Sequence, residues 1–437
     1  YVDSEIMTKN NHEYRNLLKN QYETAKGNWD LFVVFIERGI KLTQVKGALS
    51  YIVPNKLISA KYTSDLRSFL NTKTINSLID YSMVDVFKDV DVYPIVFLAI
   101  NHKHSNSPVF TKVMKDLLEP ISSNKINADI FYSDIFWDKY FFVKEIVDLI
   151  IKVNGNKKLN ALFPDIHGAA TVNEAYQIKE VIKDSANQTN NDAFFKFINT
   201  GTIDPYRSLW GIKNTQYIKD SYEKPIIKAS HLKKINSVRL KQASLPKIII
   251  AGMSLRVEAF FDKGEYCAGK STTIIVDDES KLRTLTGILN SKVVSFWMKK
   301  YFNSLSMSGG YFNIGTNEIG LIPLPNDMVY PIPQLTCAVD YLMFQRSINN
   351  QSIFFELLVD AIVYELYFPQ EIKAAEAEVL KHLNNLPSLK DEWSDQKKLS
   401  NIDKVNKELC NPKHPVSIAM ARQRTISEVK IIEGIDI

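Results

Sequence analysis

The densest chemistry in this 437-residue chain is a block of positive charge. From Arg207 to Arg256 eleven lysines and arginines face two acids, Asp220 and Glu223, so fifty residues carry +9 while the chain as a whole carries +5. Charge of one sign at that density suits a phosphate backbone, because each neutralised phosphate releases a counterion. Charge alone would also fit a solvated lysine-rich face. Trp210, Tyr217, Tyr222 and the apolar run from Pro246 to Ile250 interrupt the block, so it folds and is not a tail. Other chemistry is sparse. Neither Gly-x-Gly-x-x-Gly nor a Walker-type glycine loop occurs, so no phosphate cradle is expected. His102 and His104 are the closest pair among seven histidines, and without a carboxylate or cysteine at metal spacing they predict a polar loop and no metal. Cys267, Cys337 and Cys410 are far apart, which excludes a disulfide framework and points to a reducing cytoplasm. Glu428-Val429-Lys430 has the Glu-x-Lys form of a nuclease core, but no preceding acid sits in a matching context.

The elements that must position these residues are those of an ordinary globular protein, with 45% hydrophobic and 24% charged residues. That composition excludes disordered, collagen-like and coiled-coil classes. The longest clean apolar run, Pro94 to Ile100, is far short of the roughly 20 residues that span a bilayer. From Leu31 to Leu42 apolar residues recur at helical spacing, and Gly47 should stop that helix. Ala48 to Val53 reads as a strand and Ser59 to Leu70 as a second helix. Ile75 to Tyr81 and Val92 to Ile100 read as strands, too close in sequence for a helical crossover, so they should pair antiparallel. Pro120 to Val153 should add a hairpin or helix, and Val153 to Ala170 reads as a linker. Short strands follow, with Pro246–Ala251 and Arg256–Phe261 flanking a turn at Gly252. The pattern is helical again from Pro333 to Phe368, and Lys397 to Glu408 forms a strongly charged helix.

Three segments together resemble the gamma-type DNA adenine-N6 methyltransferases, exemplified by TaqI methyltransferase and by the type IIG enzymes, in which a restriction endonuclease is fused to the methyltransferase. The first runs from Gly27-Asn28-Trp29-Asp30-Leu31 through Gly47-Ala48-Leu49-Ser50-Tyr51-Ile52-Val53-Pro54-Asn55-Lys56 to Leu66-Arg67-Ser68-Phe69-Leu70. The second is Val86-Phe87 followed by Val92 to Ala99, similar to the motif whose aromatic residue stacks on the flipped adenine. The third spans about Pro225 to Pro325, with Leu289-Asn290-Ser291-Lys292, Tyr311 and Leu321-Ile322-Pro323-Leu324-Pro325, and looks like a target-recognition domain. Neither the family's glycine-bearing first motif nor its Asn-Pro-Pro-Tyr loop is present, but the distance from Tyr1 to Gly27 fits Tyr1 as the last residue of that loop.

The resemblance implies an α/β fold: a partial Rossmann-like class I methyltransferase sheet (1–153), an α+β target-recognition domain (165–325) and a helical C-terminal region (326–437). It implies Tyr1 and Phe87 as the aromatic faces at the base. DNA contacts are expected from Lys228, His231, Lys233, Lys234, Arg239, Lys241, Arg256, Lys270 and Tyr311. The methyl donor would be S-adenosylmethionine, bound mainly by residues outside this chain, and the partner double-stranded DNA, with no membrane. The function implied is the specificity-bearing part of a site-specific adenine methyltransferase of a restriction–modification, phage-defence system, inactive by itself. Two other readings compete. A non-catalytic specificity subunit would carry a similar recognition domain, and the aromatic and basic residues would also suit a methyltransferase acting on RNA.

Overall fold

The computed structural model describes residues 4–87, 93–104, 106–185, 193–305, 310–326, 330–348 and 353–435. Contacts divide the chain into two units, Tyr1–Lys152 with Lys300–Leu305, and Val153–Lys299 with Ser306–Ile437.

The first unit is built on five strands, β1 (Ala48–Pro54), β2 (Thr74–Asp80), β3 (Pro94–Ile100), β4 (Val109–Met114) and β5 (Pro120–Ile126), in the order β1-β3-β2-β4-β5. β2 and β3 pair antiparallel, from Thr74 against Ile100 to Asp80 against Ile95, as their short separation requires. β3 also pairs antiparallel with β1, and β4 runs parallel to β2. β1, β2 and β4 therefore point the same way, and Pro54, Asp80 and Met114 end them along one edge. Among the described residues β1 has β3 as its sole neighbour. One sheet face, with Val53, Leu78, Ile95, Phe97 and Ala99, is buried in the core. The other leaves Ile52 and Phe110 exposed.

Helix α1 (Leu31–Leu42) buries Phe32, Val33, Ile36 and Ile40 at the spacing that sets one helix face toward a core. Gly39 lets it approach β1, because a Cβ there would lie 2.8 Å from the Tyr51 hydroxyl. The helix stops at Leu42, ahead of Gly47. The Thr43 hydroxyl donates to the Gly39 carbonyl at 2.8 Å and takes up one of the free C-terminal acceptors. The second helix is shorter than its pattern suggests: α2 covers Ser64–Leu70, preceded by separate turns at Lys56–Ser59 and Lys61–Thr63. The reason lies in two polar side chains that serve the backbone at the break. The Thr63 hydroxyl donates toward the Lys56 and Ala60 carbonyls, and the Arg67 guanidinium donates to the Leu57, Ala60 and Ile135 carbonyls. Those bonds satisfy a broken helix as well as a continuous one would. Pro120 to Val153 holds both expected elements, β5 of a hairpin and helix α3 (Lys144–Asn154).

The second unit begins where a linker was expected, and that expectation fails. Residues 153–170 contain the helix Leu159–Leu162 and the strand β6 (Ile166–Gly168). Leu159 and Phe163 are buried, and Leu159 N–H donates to the Ile322 carbonyl at 2.8 Å. Turn-forming residues masked two apolar anchors. Further strands are β7 (Lys183–Asp184), β8 (Phe194–Ile198), β9 (Thr215–Tyr217), β10 (Asp220–Tyr222), β11 (Pro225–Lys228), β12 (Lys247–Ala251), β13 (Met253–Ser254), β14 (Ala259–Asp262), β15 (Tyr266–Ala268), β16 (Thr272–Val276) and β17 (Phe312–Asn313). They form two four-stranded sheets, β15-β8-β11-β7 and β14-β12-β16-β6, and two-stranded ribbons that include β9-β10 and β13-β17. β12 is buried at every position, and Lys247 at its start forms a buried ion pair with Asp262 of β14. Helices Glu279–Asn290, Pro333–Ser347 and Ile353–Tyr367 follow, then Asp395–Leu409, Pro415–Gln423 and Ser427–Glu433. Among the described residues no helix is long and apolar enough to cross a membrane.

Candidate nucleic-acid interface

The nine residues expected to meet DNA fall into two groups within the second unit. The first lies on a helical pair that follows β11. Pro225–Ile227 bury three apolar side chains, and Lys228 then stands at the N-terminal boundary of helix α4 (Ala229–Ile235), which buries Leu232 and turns Lys233 and Lys234 outward in its last turn. Cations there complement the helix dipole, so their placement has a structural reason as well as a functional one. Asn236 breaks the helix, and its side chain accepts from Val238 N–H at 2.9 Å to cap α5 (Ser237–Ser244). Lys241 on α5 is exposed, whereas Lys228 and His231 are half-buried.

Arg239 is tied into the fold. Its guanidinium donates to Glu174 at 3.1 Å, to the Gly168 carbonyl at 3.0 Å and to the Gln242 amide oxygen at 2.7 Å. Glu174 closes a capping box with Thr171 at the start of the helix Val172–Val181. Burial opposes the charge on Glu174, but bonds from Thr171 and Asn236 with the charge of Arg239 outweigh it and hold the carboxyl below its ordinary range. Arg239 therefore joins α5 to that helix and to β6.

The second group, Arg256, Lys270 and Tyr311, is exposed, on loops that backbone bonds and strand pairing tie into one ridge. Gly269 N–H donates to the Ile198 carbonyl at 2.8 Å, which seats the Gly269–Ser271 loop beside Asn199. A Cβ on Gly269 would come within 2.7 Å of the Asn199 side-chain oxygen. Gly252 N–H donates to the Ser271 carbonyl at 3.0 Å, and a Cβ on Gly252 would lie 2.6 Å from that same oxygen, so only glycine fits. Met253 N–H donates to the Thr200 hydroxyl at 3.0 Å. β13 then pairs with β17, which brings Leu255 and Arg256 to the same ribbon end as Tyr311. Met253, Leu255 and Tyr311 are 44%, 46% and 45% exposed, an apolar crest that burial does not explain. Arg256 and Lys213 both act on Glu258, whose carboxyl is raised by burial and by Asp204 and lowered by these two cations.

The ridge also holds residues the sequence reading passed over. Asn214, Gln216 and Ser221 are exposed on the β9–β10 hairpin, and the Asn199 amide donates to the Gln216 carbonyl at 3.1 Å. The signal was faint: two short strands that alternate polar with aromatic residues, in a stretch read for its charge.

In the first unit the candidate aromatic residue Phe87 lies in the loop beyond the end of β2 and is 42% exposed. Tyr1 lies outside the described residues. At the same edge, Asp30 precedes α1. It accepts from Ser4 N–H at 2.8 Å and from the Tyr62 hydroxyl, and Lys56, just past β1, is 3.8 Å away. Burial lowers the Arg67 pKa to about 10, partly offset by Asp138 and Asp134, and its bonds to backbone carbonyls make it a structural residue. His104 stacks on Tyr132, with ring centroids 4.1 Å apart.

Residues 1–87 match the Eco57I restriction-modification methylase model, and residues 173–324 match the TaqI-like C-terminal specificity domain. The type II restriction enzyme and methyltransferase RM.Eco57I of Escherichia coli is 26% identical over 152 residues, 34% of this chain and 15% of that protein. A protein of Methanocaldococcus jannaschii, provisionally described as a type II restriction enzyme and methyltransferase, is 23% identical over 388 residues, 84% of this chain and 31% of that protein. The chain thus spans less than a third of the length of either relative. Among solved structures, the type IIL restriction-modification enzyme MmeI in complex with DNA aligns with 12% identity and a TM-score of 0.33 over 87% of this chain and 53% of that one, too distant to define the fold. A match to a methylase model and a match to a specificity-domain model thus follow one another on this chain.

Proposed function

We propose that this chain is the specificity-bearing C-terminal part of a site-specific DNA adenine-N6 methyltransferase of a restriction–modification system. The observation that carries the reading is the succession, on one chain, of a methylase match over 1–87 and a specificity-domain match over 173–324. The sheet order supports a partial Rossmann-like arrangement, since β3 lies antiparallel between two strands of common direction. We assign 1–153 to the catalytic domain, 165–325 to recognition of DNA and 326–437 to a helical support. A nuclease fused to the same parent is part of the proposal, because the two relatives are described as restriction enzymes as well as methyltransferases.

Adenine N6 lies within the base stack, so a methyltransferase must swing the base out and hold it. Phe87, half-exposed past the β2 end, offers a stacking face, and Tyr1 the second. Such contacts contribute roughly 1–3 kcal/mol per base. S-adenosylmethionine would be the methyl donor in the parent. The glycines of the first unit do not form a cradle for it: Gly39 is packed on Tyr51, Gly47 is packed on Thr43 and Gln44, and Gly27, at φ +67, lies between the helices His12–Gln21 and Leu31–Leu42. The fit fails here, and we assign donor binding to other parts of the parent.

Recognition of the surrounding sequence falls to the second unit, because a flipped adenine looks the same in any context. Lysines at α4–α5 and along the ridge set register on phosphates while other residues read base edges. The test is to express the full-length parent in a methylation-free host and map modified bases across the genome. N6-methyladenine at one short sequence is expected. Modified cytosine, modified RNA or no modified base would contradict the reading.

A further inference from the structure

We propose that the exposed polar face of the β9–β10 hairpin, formed by Asn214, Gln216 and Ser221, reads base edges in the major groove of duplex DNA. The inference rests on the reading of the second unit as a DNA-recognition domain and names the element that would supply its specificity.

The hairpin has an exposed outer face whose polar side chains bond one another, the Asn214 amide donating to the Ser221 hydroxyl at 3.4 Å. Thr215 and Tyr217 point inward and are buried. Across the ribbon Gln216 is paired with Ser221, and the Gln216 amide donates to the Ser221 hydroxyl at 2.8 Å. Its two turn residues, Ile218 and Lys219, have φ of 43° and 69°. Left-handed backbone is the geometry of a tight hairpin turn, but glycine or asparagine normally supplies it, and a β-branched residue there is strained. The strain is held by Lys179, whose ammonium donates to the Ile218 carbonyl at 2.9 Å and pairs with Asp220 at 3.0 Å. Strain of this kind persists where surrounding structure over-determines it, often at functional sites.

The chemistry of the face fits base edges better than phosphates. A two-stranded ribbon enters a B-form major groove, where asparagine and glutamine pair bidentately with adenine and serine serves as donor or acceptor. Lys213 and Lys219 are exposed beside it, so approach to a polyanion is favoured while Asp220 is neutralised by Lys179. A-form RNA has a major groove too narrow for side chains, so the ribbon suits DNA.

The experiment selects bound sequences from a duplex library with a randomised core, using the 437-residue chain and its Asn214→Ala/Gln216→Ala variant. The wild type should yield one defined motif. The variant should keep its thermal unfolding midpoint, its affinity for unselected duplex and its salt dependence. Preference at one or two positions of the motif should fall about five- to a hundredfold. A Lys179→Met variant, which frees the turn, should blur the same positions. An unchanged motif in both variants, or wild-type binding without any motif, would overturn the hairpin assignment while leaving DNA binding in place. Absence of duplex binding by the wild type would overturn the underlying reading and the hairpin with it.

Discussion

Residues of the same type do different work here, and burial separates them. Lys233 and Lys234 are exposed at the end of α4, whereas Arg239 donates to Glu174, Gly168 and Gln242. Lys233→Ala with Lys234→Ala should weaken binding to every duplex and lower the salt slope by about one per lost contact, with stability lowered by no more than the roughly 0.3–1 kcal/mol that each cation contributes at a helix end. Arg239→Ala should do the reverse. Loss of its charged hydrogen bonds should lower unfolding free energy by about 1–3 kcal/mol, read by denaturant titration, with little change in slope. Phe87→Ala in the full-length parent should cut methyl transfer and spare duplex binding, because the ring is needed after flipping. Equal turnover would return Phe87 to a packing role. The sequence named Arg239 by charge, and charge could not show that Glu174, 65 residues earlier, would claim it.

At the scale of elements, what was legible was whatever local periodicity decides. The helix at Leu31–Leu42, the antiparallel pairing of β2 with β3 and the charged helix at Asp395–Leu409 follow from spacing and connection length. Bonds that no periodicity reveals hid the rest: Thr63 and Arg67 break the second helix, and Leu159 and Phe163 fold the stretch read as a linker. The strands also differ in exposure to exchange. Among the described residues β1 has one neighbour and an exposed Ile52, while β12 is buried throughout and paired on both sides. Amides of Ala48–Val53 should therefore exchange faster than those of Ile248–Ala251, and equal protection would contradict the edge assignment. Buried Asp360, on the helix Ile353–Tyr367, accepts from Lys292 N–H at 2.8 Å, and burial raises its carboxyl to about 7 despite that bond and the nearby Lys292 charge, with Glu433 adding to the rise. The folded form binds a proton that the unfolded form releases near its ordinary value, so this group's contribution to stability falls as pH rises from about 4 to about 7. Asp360→Asn should flatten that dependence in thermal unfolding measured across the same range.

In the whole molecule a stretch that matches a methylase model precedes one that matches a specificity domain, and the second is rich in basic residues, with loops locked by glycine contacts. The function proposed for the second unit requires it to bind duplex DNA through phosphates. Charge density in the sequence pointed to this, but the ridge of Arg256, Lys270 and Tyr311 emerges from strand pairing across distant segments, which no local pattern encodes. The most direct measurement is duplex affinity of the 437-residue chain as salt is varied between about 50 and about 200 mM. With five to eight phosphates contacted, log K should fall with log salt at a slope of about −4.5 to about −7. Affinity that does not change over that range would contradict the claim.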